Sequence, residues 1–274
     1  MKWLISLLCI LICSEISFAQ VLRKPLAAAY MGFGVYSCKQ ADVFSFPGNQ
    51  AALAQLKNTT VGIYAEQRFL ISELSYYTMA AALVTRSGHF GLRLGYSGFS
   101  GYNESQAGFA YARKLGSKVD VGVQFNYNGI NVAGYGNASA ISFEIGSIFH
   151  LTEELHAGIH ANNPVGGKFG KEKQEKLPAC YTVGLGYDAS KQFFISMEIV
   201  KEELQPITVN AGMQYLIDPQ VLVRAGLLSA TSSLWLGIGV LWKSIRVDVA
   251  ASYHSQLGIS PGFLLLYNPI KKED

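Results

Sequence analysis

The sequence predicts an all-β fold, a transmembrane antiparallel β-barrel of about fourteen strands with an N-terminal segment folded into its lumen as a plug. Three observations favour this fold class. Residues 59–268 alternate apolar with polar or small side chains almost throughout, which is the period of β-strands. Only 15% of the residues are charged, although 50% are hydrophobic. Beyond the N-terminus, no apolar run reaches the about 18 residues that a membrane helix requires.

Residues 1–19 are typical of a secretory signal peptide. Lys2 precedes an apolar run from Trp3 to Ile12, and the pattern Ser17-Phe18-Ala19 predicts cleavage after Ala19. We therefore expect an exported protein. The net charge of +3 is scattered along the chain, so there is no basic stripe for nucleic acid.

Residues 20–58 are rich in Ala and Gly, carry few charges and show no sustained alternation. The interior of a fourteen-stranded barrel is wider than side chains alone can fill. We therefore expect this segment to form a lumenal plug. Pro47, Gly48 and Asn49 predict a chain reversal that acts as the hinge between the plug and the first strand. The candidate plug and hinge residues are Asp42, Pro47, Gly48, Asn49 and Gln50.

The alternation over residues 59–268 divides into strands at turn signals. In residues 118–128, for example, Val119, Val121 and Val123 share one face, whereas Asp120, Gly122 and Gln124 share the other. The predicted strands are 59–67, 72–85, 88–98, 104–114, 118–130, 139–150, 154–163, 178–189, 191–201, 205–217, 219–229, 232–243, 244–254 and 257–268. An even number of such strands is typical of outer-membrane barrels, although periodicity alone also fits a large soluble β-sandwich.

Two further patterns favour the barrel over the sandwich. Connections after even-numbered strands are short, whereas "SGYNE", "NVAGYGNAS" and the stretch from Asn163 to Pro178 predict longer loops at the other end. Aromatic residues on the apolar face cluster at both strand ends, as in the aromatic girdles of membrane barrels. They are Tyr111, Phe149, Tyr187, Tyr215, Trp242 and Tyr267 at one end and Tyr96, Tyr127, Tyr181 and Tyr253 at the other. Because unpaired backbone is excluded from hydrocarbon, we expect the last strand to pair with the first.

The polar face of the strands predicts a charged lumen. The inward-facing charged residues and histidines are Arg93, Asp120, Glu144, His156, His160, Asp188, Glu198, Arg224, Arg246 and Asp248. Mixed signs favour structural ion pairs and a hydrated interior over a dedicated substrate site. His156 and His160 are separated by about 13 Å along one strand, so we expect no metal site from that pair. We expect no cofactor, and no nucleophile motif indicates an enzyme.

Cys38 and Cys180 are the cysteines that remain after cleavage. An oxidising compartment would allow them to pair, and two separate thiols are an equally compatible arrangement.

The N-terminal motifs carry a resemblance to a known family. The order Met31-Gly32-Phe33-Gly34, then Asp42, then Asn49-Gln50-Ala51-Ala52-Leu53 resembles the FadL-type outer-membrane proteins and their PorV- and PorQ-like relatives from Bacteroidetes. Ala52 stands where the family usually has Gly, and a polar tail, residues 269–274, follows the predicted barrel. The resemblance implies a plugged fourteen-stranded barrel that passes hydrophobic molecules in FadL-type members and binds exported proteins of type IX secretion in PorV-like members.

The leading hypothesis is therefore a plugged channel in the cell outer membrane for passive uptake of small hydrophobic molecules, with the lipid bilayer as its surroundings. The alternative is a PorV-like component that binds exported proteins through loops 131–138 and 163–177. A structural barrel with a filled lumen is the third interpretation.

Overall fold

The computed structural model describes residues 28–169 and 175–269. The predicted signal peptide, the first part of the predicted plug (20–27) and residues 270–274 of the tail lie outside the described residues.

Antiparallel strands dominate the described part of the chain. They are β1 (Thr60–Gln67), β2 (Ser75–Thr85), β3 (Gly88–Phe99), β4 (Tyr102–Leu115), β5 (Val119–Val132), β6 (Gly136–His150), β7 (Leu155–Asn162), β8 (Lys168–Phe169), β9 (Glu175–Lys176), β10 (Cys180–Tyr187), β11 (Phe193–Glu202), β12 (Thr208–Asp218), β13 (Val221–Leu228), β14 (Ser233–Trp242), β15 (Ile245–His254) and β16 (Gly258–Tyr267). Within this part, fourteen strands close into one barrel, and β8 and β9 form a separate hairpin. β16 pairs with β1, so the predicted closure is confirmed.

The two faces of the barrel wall differ as the alternation predicts. In β14, Leu234, Leu236 and Ile238 are exposed on the outside, whereas the residues between them face the interior. The outer surface carries most of the predicted girdle residues, among them Trp242 and Tyr267 at one end and Tyr127 at the other. An apolar belt between aromatic rims is the surface that a transmembrane barrel presents to lipid. No helix in the described ranges is long and apolar enough to span a membrane.

Two of the predicted long loops are wrong. β3 and β4 are joined through residues 100–101, and β5 and β6 through 133–135. The strands continue past the apolar belt, where both faces contact water and the sequence loses its alternation. Gly98, Gly134 and Gly136, all with positive φ, allow the tight connections. The longer connections at that end are residues 68–74 and 163–179. Longer connections face the outside in such barrels, so the end where β1 begins and β16 ends is periplasmic.

Residues 28–58, called the lumenal segment below, lie inside the barrel. They contain a short α-helix, α1 (Ala28–Met31), and two 3₁₀ helices, Gly32–Tyr36 and Gln50–Gln55. Turns over residues 43–48 reverse the chain between them. Their side chains contact the inward faces of the strands, and residues 56–59 lead to β1.

Candidate functional site

The candidate site is the interface between the lumenal segment and the inner wall of the barrel. Inward-facing glycines make room for the segment at several positions. A Cβ atom on Gly122 would overlap the backbone of Gln50, and one on Gly184 would overlap the ring of Tyr36. A Cβ on Gly146 would overlap the Asn49 amide. Several of the glycines that the alternation assigns to the polar face are therefore positions where the absence of a side chain leaves space for the segment.

Asp42 organises the turn at the centre of the segment. Its Oδ1 accepts a hydrogen bond from the backbone N–H of Phe44 at 2.8 Å, and its own N–H donates to Ser45 Oγ at 3.1 Å. The N–H of Gly48 then donates to the Ser45 carbonyl at 3.0 Å. The turn predicted from Pro47 and Gly48 is thus an Asx-type turn started by Asp42.

The other carboxylate oxygen of Asp42 joins the segment to the wall through buried charges. Arg246 Nη2 on β15 donates to Asp42 Oδ2 at 2.8 Å, and Arg224 Nη2 on β13 lies 3.7 Å from the same oxygen. Arg246 Nε also donates to Asp248 Oδ1 at 3.0 Å, and Tyr30 Oη donates to Asp248 Oδ2 at 2.9 Å. Two guanidinium groups thus face two carboxylates, which balances the charge in a site shielded from water.

Arg224 is fully buried and holds a second part of the segment. Its Nε donates to Gln214 Oε1 at 2.7 Å, and its Nη1 donates to the carbonyl of Tyr30 at 3.2 Å. The guanidinium carbon also lies 5.3 Å from the centroid of the Tyr30 ring and 5.9 Å from that of Phe33. Arg224 therefore binds α1 and the following 3₁₀ helix through hydrogen bonds and cation–π contacts.

Asn49 and Gln50 anchor the segment on the other side of the barrel. The Asn49 side chain accepts the N–H of Ala51 at 3.0 Å and donates to the carbonyl of Ile159 on β7 at 3.0 Å. Gln50 Nε2 donates to Glu144 Oε2 on β6 at 2.6 Å. Both residues are completely buried and anchor the segment to the wall. The hinge to β1 that was predicted at Pro47, Gly48 and Asn49 lies instead at residues 56–59.

The remaining predicted lumenal residues form separate groups. His160 Nε2 lies 3.0 Å from Glu144 Oε2, which places His160 with Gln50 in a polar sector along β5, β6 and β7. Arg93 donates to the Tyr76 hydroxyl at 3.1 Å, and Glu198 accepts from Asn210 at 2.8 Å. Asp120 and His156 lie near the periplasmic end, in a group described below.

An apolar sector completes the interface. Phe33 packs edge-on against Phe194 of β11 and Trp235 of β14, with ring centroids 5.2 and 5.5 Å apart. Phe44, Tyr64 and other buried residues from β1, β2, β4, β15 and β16 extend this cluster. The interface therefore combines this apolar cluster with the polar sector on β6 and β7 and with the ion pairs carried by β13 and β15.

Sequence reasoning missed several residues of the interface. Tyr30, Phe33 and Tyr36 lie in a segment without periodicity, so no pattern indicated their partners. His150 is the last residue of β6 and lies an even number of residues from Glu144, so it faces inward as Glu144 does. The alternation along the strand was therefore sufficient to find it. Cys38 and Cys180 are both described and do not form a disulfide.

Comparison with known proteins supports the fold. No protein-family model matches the chain, and no curated protein matches its sequence. Among solved structures, the toluene transporter TodX of Pseudomonas putida superposes with a TM-score of 0.62 at 11% identity, covering 84% of this chain and 95% of TodX. A FadL homologue from Pseudomonas aeruginosa gives a TM-score of 0.61 at 11% identity, covering 90% of this chain and 99% of that protein.

A third similar structure, the outer membrane protein Omp33 of Acinetobacter baumannii, has a TM-score of 0.51 at 10% identity and covers 77% of this chain and 97% of that one. These proteins share a membrane-barrel fold with this chain. Together with the apolar outer surface, the fold places the protein in the outer membrane, as predicted. The resemblance to FadL-type proteins is thus supported at the level of the fold, and the narrower relationship to Bacteroidetes PorV-like proteins stays a prediction.

Proposed function

We propose that this protein is a gated outer-membrane channel for the passive uptake of small hydrophobic molecules, with the lumenal segment as its plug. One observation carries the proposal: the segment occupies the barrel interior and is held there by non-covalent contacts that can be exchanged. If the barrel interior only had to be filled, apolar side chains of the strands themselves could fill it. The Asp42–Arg246 pair instead provides a polar attachment that can open without breaking the barrel.

The apolar sector supports the class of molecule. Phe33, Phe194 and Trp235 provide aromatic surface between the segment and the wall. A small apolar molecule can replace such contacts when the segment shifts, whereas a sugar would leave most of its hydroxyl groups unpaired against these rings. TodX, which has a similar fold, is described as a toluene transporter, and we extend that substrate class to this chain as part of the proposal.

Intrinsic fluorescence provides a direct test of binding. Apart from Trp3, the tryptophans are the inward-facing Trp235 and the outward-facing Trp242. In a Trp242→Phe variant purified in detergent, toluene should change the emission of Trp235 saturably. The matched Trp235→Phe variant, which retains the outward-facing reporter, should show only the linear response of toluene dissolving in the micelle.

Uptake is then measured in cells whose own aromatic channels have been deleted. Expression of this protein should accelerate entry of toluene and leave the entry of a disaccharide unchanged. Equal responses of the two tryptophan variants, together with unchanged toluene entry, would exclude the proposed function.

The alternative, binding of exported proteins, is favoured by one feature of the external rim. The β8–β9 hairpin is held in place where Phe169 and Leu177 pack against Ala140. The described residues of β8 and β9, fixed in this way beside β6, provide a surface that a protein can recognise. Deleting residues 164–176 should abolish co-purification of exported proteins without changing toluene uptake, and unchanged co-purification would exclude this role for the hairpin.

A further inference from the structure

A group of sulfur and nitrogen atoms lies at the periplasmic end of the interface and plays no part in the contacts considered so far. Cys38 follows the first 3₁₀ helix of the lumenal segment, whereas His150 and His156 occupy directly paired positions on β6 and β7. His150 Nδ1 lies 3.5 Å from Cys38 Sγ and 3.1 Å from His156 Nδ1. One donor atom from each residue lies within 4.8 Å of the other two.

These separations fit the ligand shell of a tetrahedral zinc ion. With Zn–N bonds of about 2.05 Å and a Zn–S bond of about 2.3 Å, tetrahedral angles place two nitrogens about 3.4 Å apart and a sulfur about 3.6 Å from a nitrogen. The observed 3.1 and 3.5 Å differ from these values by only a few tenths of an ångström.

The far nitrogen of each imidazole faces a carboxylate. His150 Nε2 lies 3.0 Å from Asp120 Oδ2, and His156 Nε2 lies 3.4 Å from Asp188 Oδ2. The hydroxyl of Ser37 donates to Asp188 Oδ1 at 2.6 Å and so fixes that carboxylate. A carboxylate beyond a histidine is the usual outer shell of a metal site, because it holds the proton on the far nitrogen and orients the ring.

This arrangement has an electrostatic consequence for the near nitrogens. If each Nε2 carries its proton toward a carboxylate, the Nδ1 lone pairs of His150 and His156 face each other at 3.1 Å. Two lone pairs at that distance repel unless a proton or a metal ion lies between them, so a metal ion that binds here displaces any proton shared by the two nitrogens. The Cys38 sulfur beside them supplies a soft ligand, which favours a thiophilic metal ion over Mg²⁺ or Ca²⁺.

We propose that Cys38, His150 and His156 bind one zinc ion, with the fourth coordination position open to water. Binding releases the thiol proton of Cys38, together with any proton held between the two Nδ1 atoms, and leaves both imidazoles neutral with their Nε2 atoms protonated. Cys38 and His150 are partly exposed, so the ion can enter from the periplasmic side. Because Cys38 belongs to the lumenal segment and both histidines belong to the wall, the ion joins the segment to β6 and β7. Zinc binding itself is independent of the proposed channel function, whereas any effect of zinc on uptake rests on it.

The test uses the full-length protein, purified in detergent, stripped with a chelator and dialysed. Zinc is titrated against a chromogenic competitor, and elemental analysis gives the stoichiometry. We expect one zinc per chain in the wild type and in Cys180→Ser, the matched control that removes the other described cysteine. Cys38→Ser should weaken binding by more than the about 100-fold that marks the upper range for the loss of an outer-shell partner. Asp120→Asn, which retains every ligand and replaces the carboxylate 3.0 Å from His150 Nε2, should weaken it about 10- to 100-fold.

Cobalt provides a second readout that reports the ligands directly. Co²⁺ added to the stripped protein should give tetrahedral visible absorption with a thiolate charge-transfer band, which Cys38→Ser removes and Cys180→Ser preserves. Circular dichroism confirms that each variant retains the barrel. A folded wild type that binds no zinc at micromolar concentrations would overturn the proposal, as would a Cys38→Ser variant with unchanged zinc affinity. A wild type that takes up Cu⁺ but not Zn²⁺ would overturn the choice of metal.

Discussion

Asp42→Asn is the sharpest perturbation of the lumenal segment because it removes charge while preserving shape. Asn retains the oxygen that accepts the Phe44 N–H, so the turn stays capped. It loses the charge that faces Arg246 at 2.8 Å and Arg224 at 3.7 Å. Asp248 continues to neutralise Arg246, whereas Arg224 loses the carboxylate that it faces.

The expected cost follows from this geometry. Removing one partner of a buried pair costs about 3–5 kcal/mol when a charge is left without compensation. Because Asp248 compensates part of it, we expect about 2–3 kcal/mol here, close to the loss of one charged hydrogen bond. The barrel itself is closed by backbone pairing, so the cost falls on the docking of the segment. A change of 2–3 kcal/mol raises the undocked fraction about 30- to 150-fold.

Single-channel recording in planar bilayers measures that fraction as the probability of the high-conductance state. Glu153→Gln, on the exposed turn between β6 and β7, makes the same change of charge and should leave the probability unaltered. Adding Arg246→Gln to Asp42→Asn should cost less than the sum of the two single changes, because both remove the same pair. An Asp42→Asn channel with wild-type open probability would refute the assignment of this pair as an attachment of the segment.

Three further outcomes are expected. Gly122→Ala places a Cβ against the backbone of Gln50 and should weaken docking of the segment by about 1–3 kcal/mol, measured by single-channel recording. The control is the inward-facing Gly95→Ala, whose added Cβ would lie 3.7 Å from its nearest neighbour and which should behave as wild type. Hydrogen bonds from Lys176 and from the Ala179 N–H lower the pKa of Glu203 below its usual 4.5. The contribution of the Lys176–Glu203 pair to local stability is therefore fully present above pH 4.5 and is lost as pH falls through the lowered pKa. Because the pair is exposed, we expect only a partial rise in proteolysis next to Lys176 over that range, and a Glu203→Gln variant with the same pH profile would contradict this. Trp242→Ala should lower the thermal stability of the barrel in lipid, because the exposed ring belongs to the aromatic rim, whereas Tyr135→Ala beyond the rim should have no effect on the unfolding temperature.

The barrel could be predicted because the signal for it lies in neighbouring residues along each strand. Alternation assigns each side chain to the lipid or the lumen, and the requirement for backbone pairing closes the sheet. The ends of the strands were predicted less accurately, for example near Gly98 and Gly134. Both faces of the sheet contact water there, so the alternation of apolar and polar residues disappears. The second strand was predicted to begin at residue 72 but begins at Ser75, because residues 68–74 form 3₁₀ turns in which Phe69 and Leu70 have positive φ.

The partners inside the lumen could not be predicted in the same way. The alternation along the strand indicates that Arg246 and Asp248 point inward. It does not indicate that Asp42, which lies 204 residues before Arg246, contacts them. That contact depends on how an aperiodic segment folds in three dimensions. The same limit explains why sequence spacing groups His156 with His160 on its own strand, whereas the side chain that His156 contacts is His150 on the paired strand.

The two sets of anchors make it possible to ask whether the segment leaves the wall as one body. β5 carries Gly122, and β15 carries Arg246, the partner of Asp42. Five strands lie between them in the ring β5-β4-β3-β2-β1-β16-β15, so they are six strand spacings apart. At about 4.8 Å per strand, the two positions lie well beyond the 7–10 Å within which substitutions usually couple directly. For a segment that undocks as one body, the two single changes each raise the ratio of open to closed time by some factor. The combined Asp42→Asn and Gly122→Ala changes should raise that ratio by the product of the two factors and leave one conductance level. For a segment that detaches in parts, each single variant should show its own intermediate conductance, and the double variant should show both. One conductance level with multiplied increases in the open-to-closed ratio therefore identifies a single gate, and distinct intermediate levels would refute it.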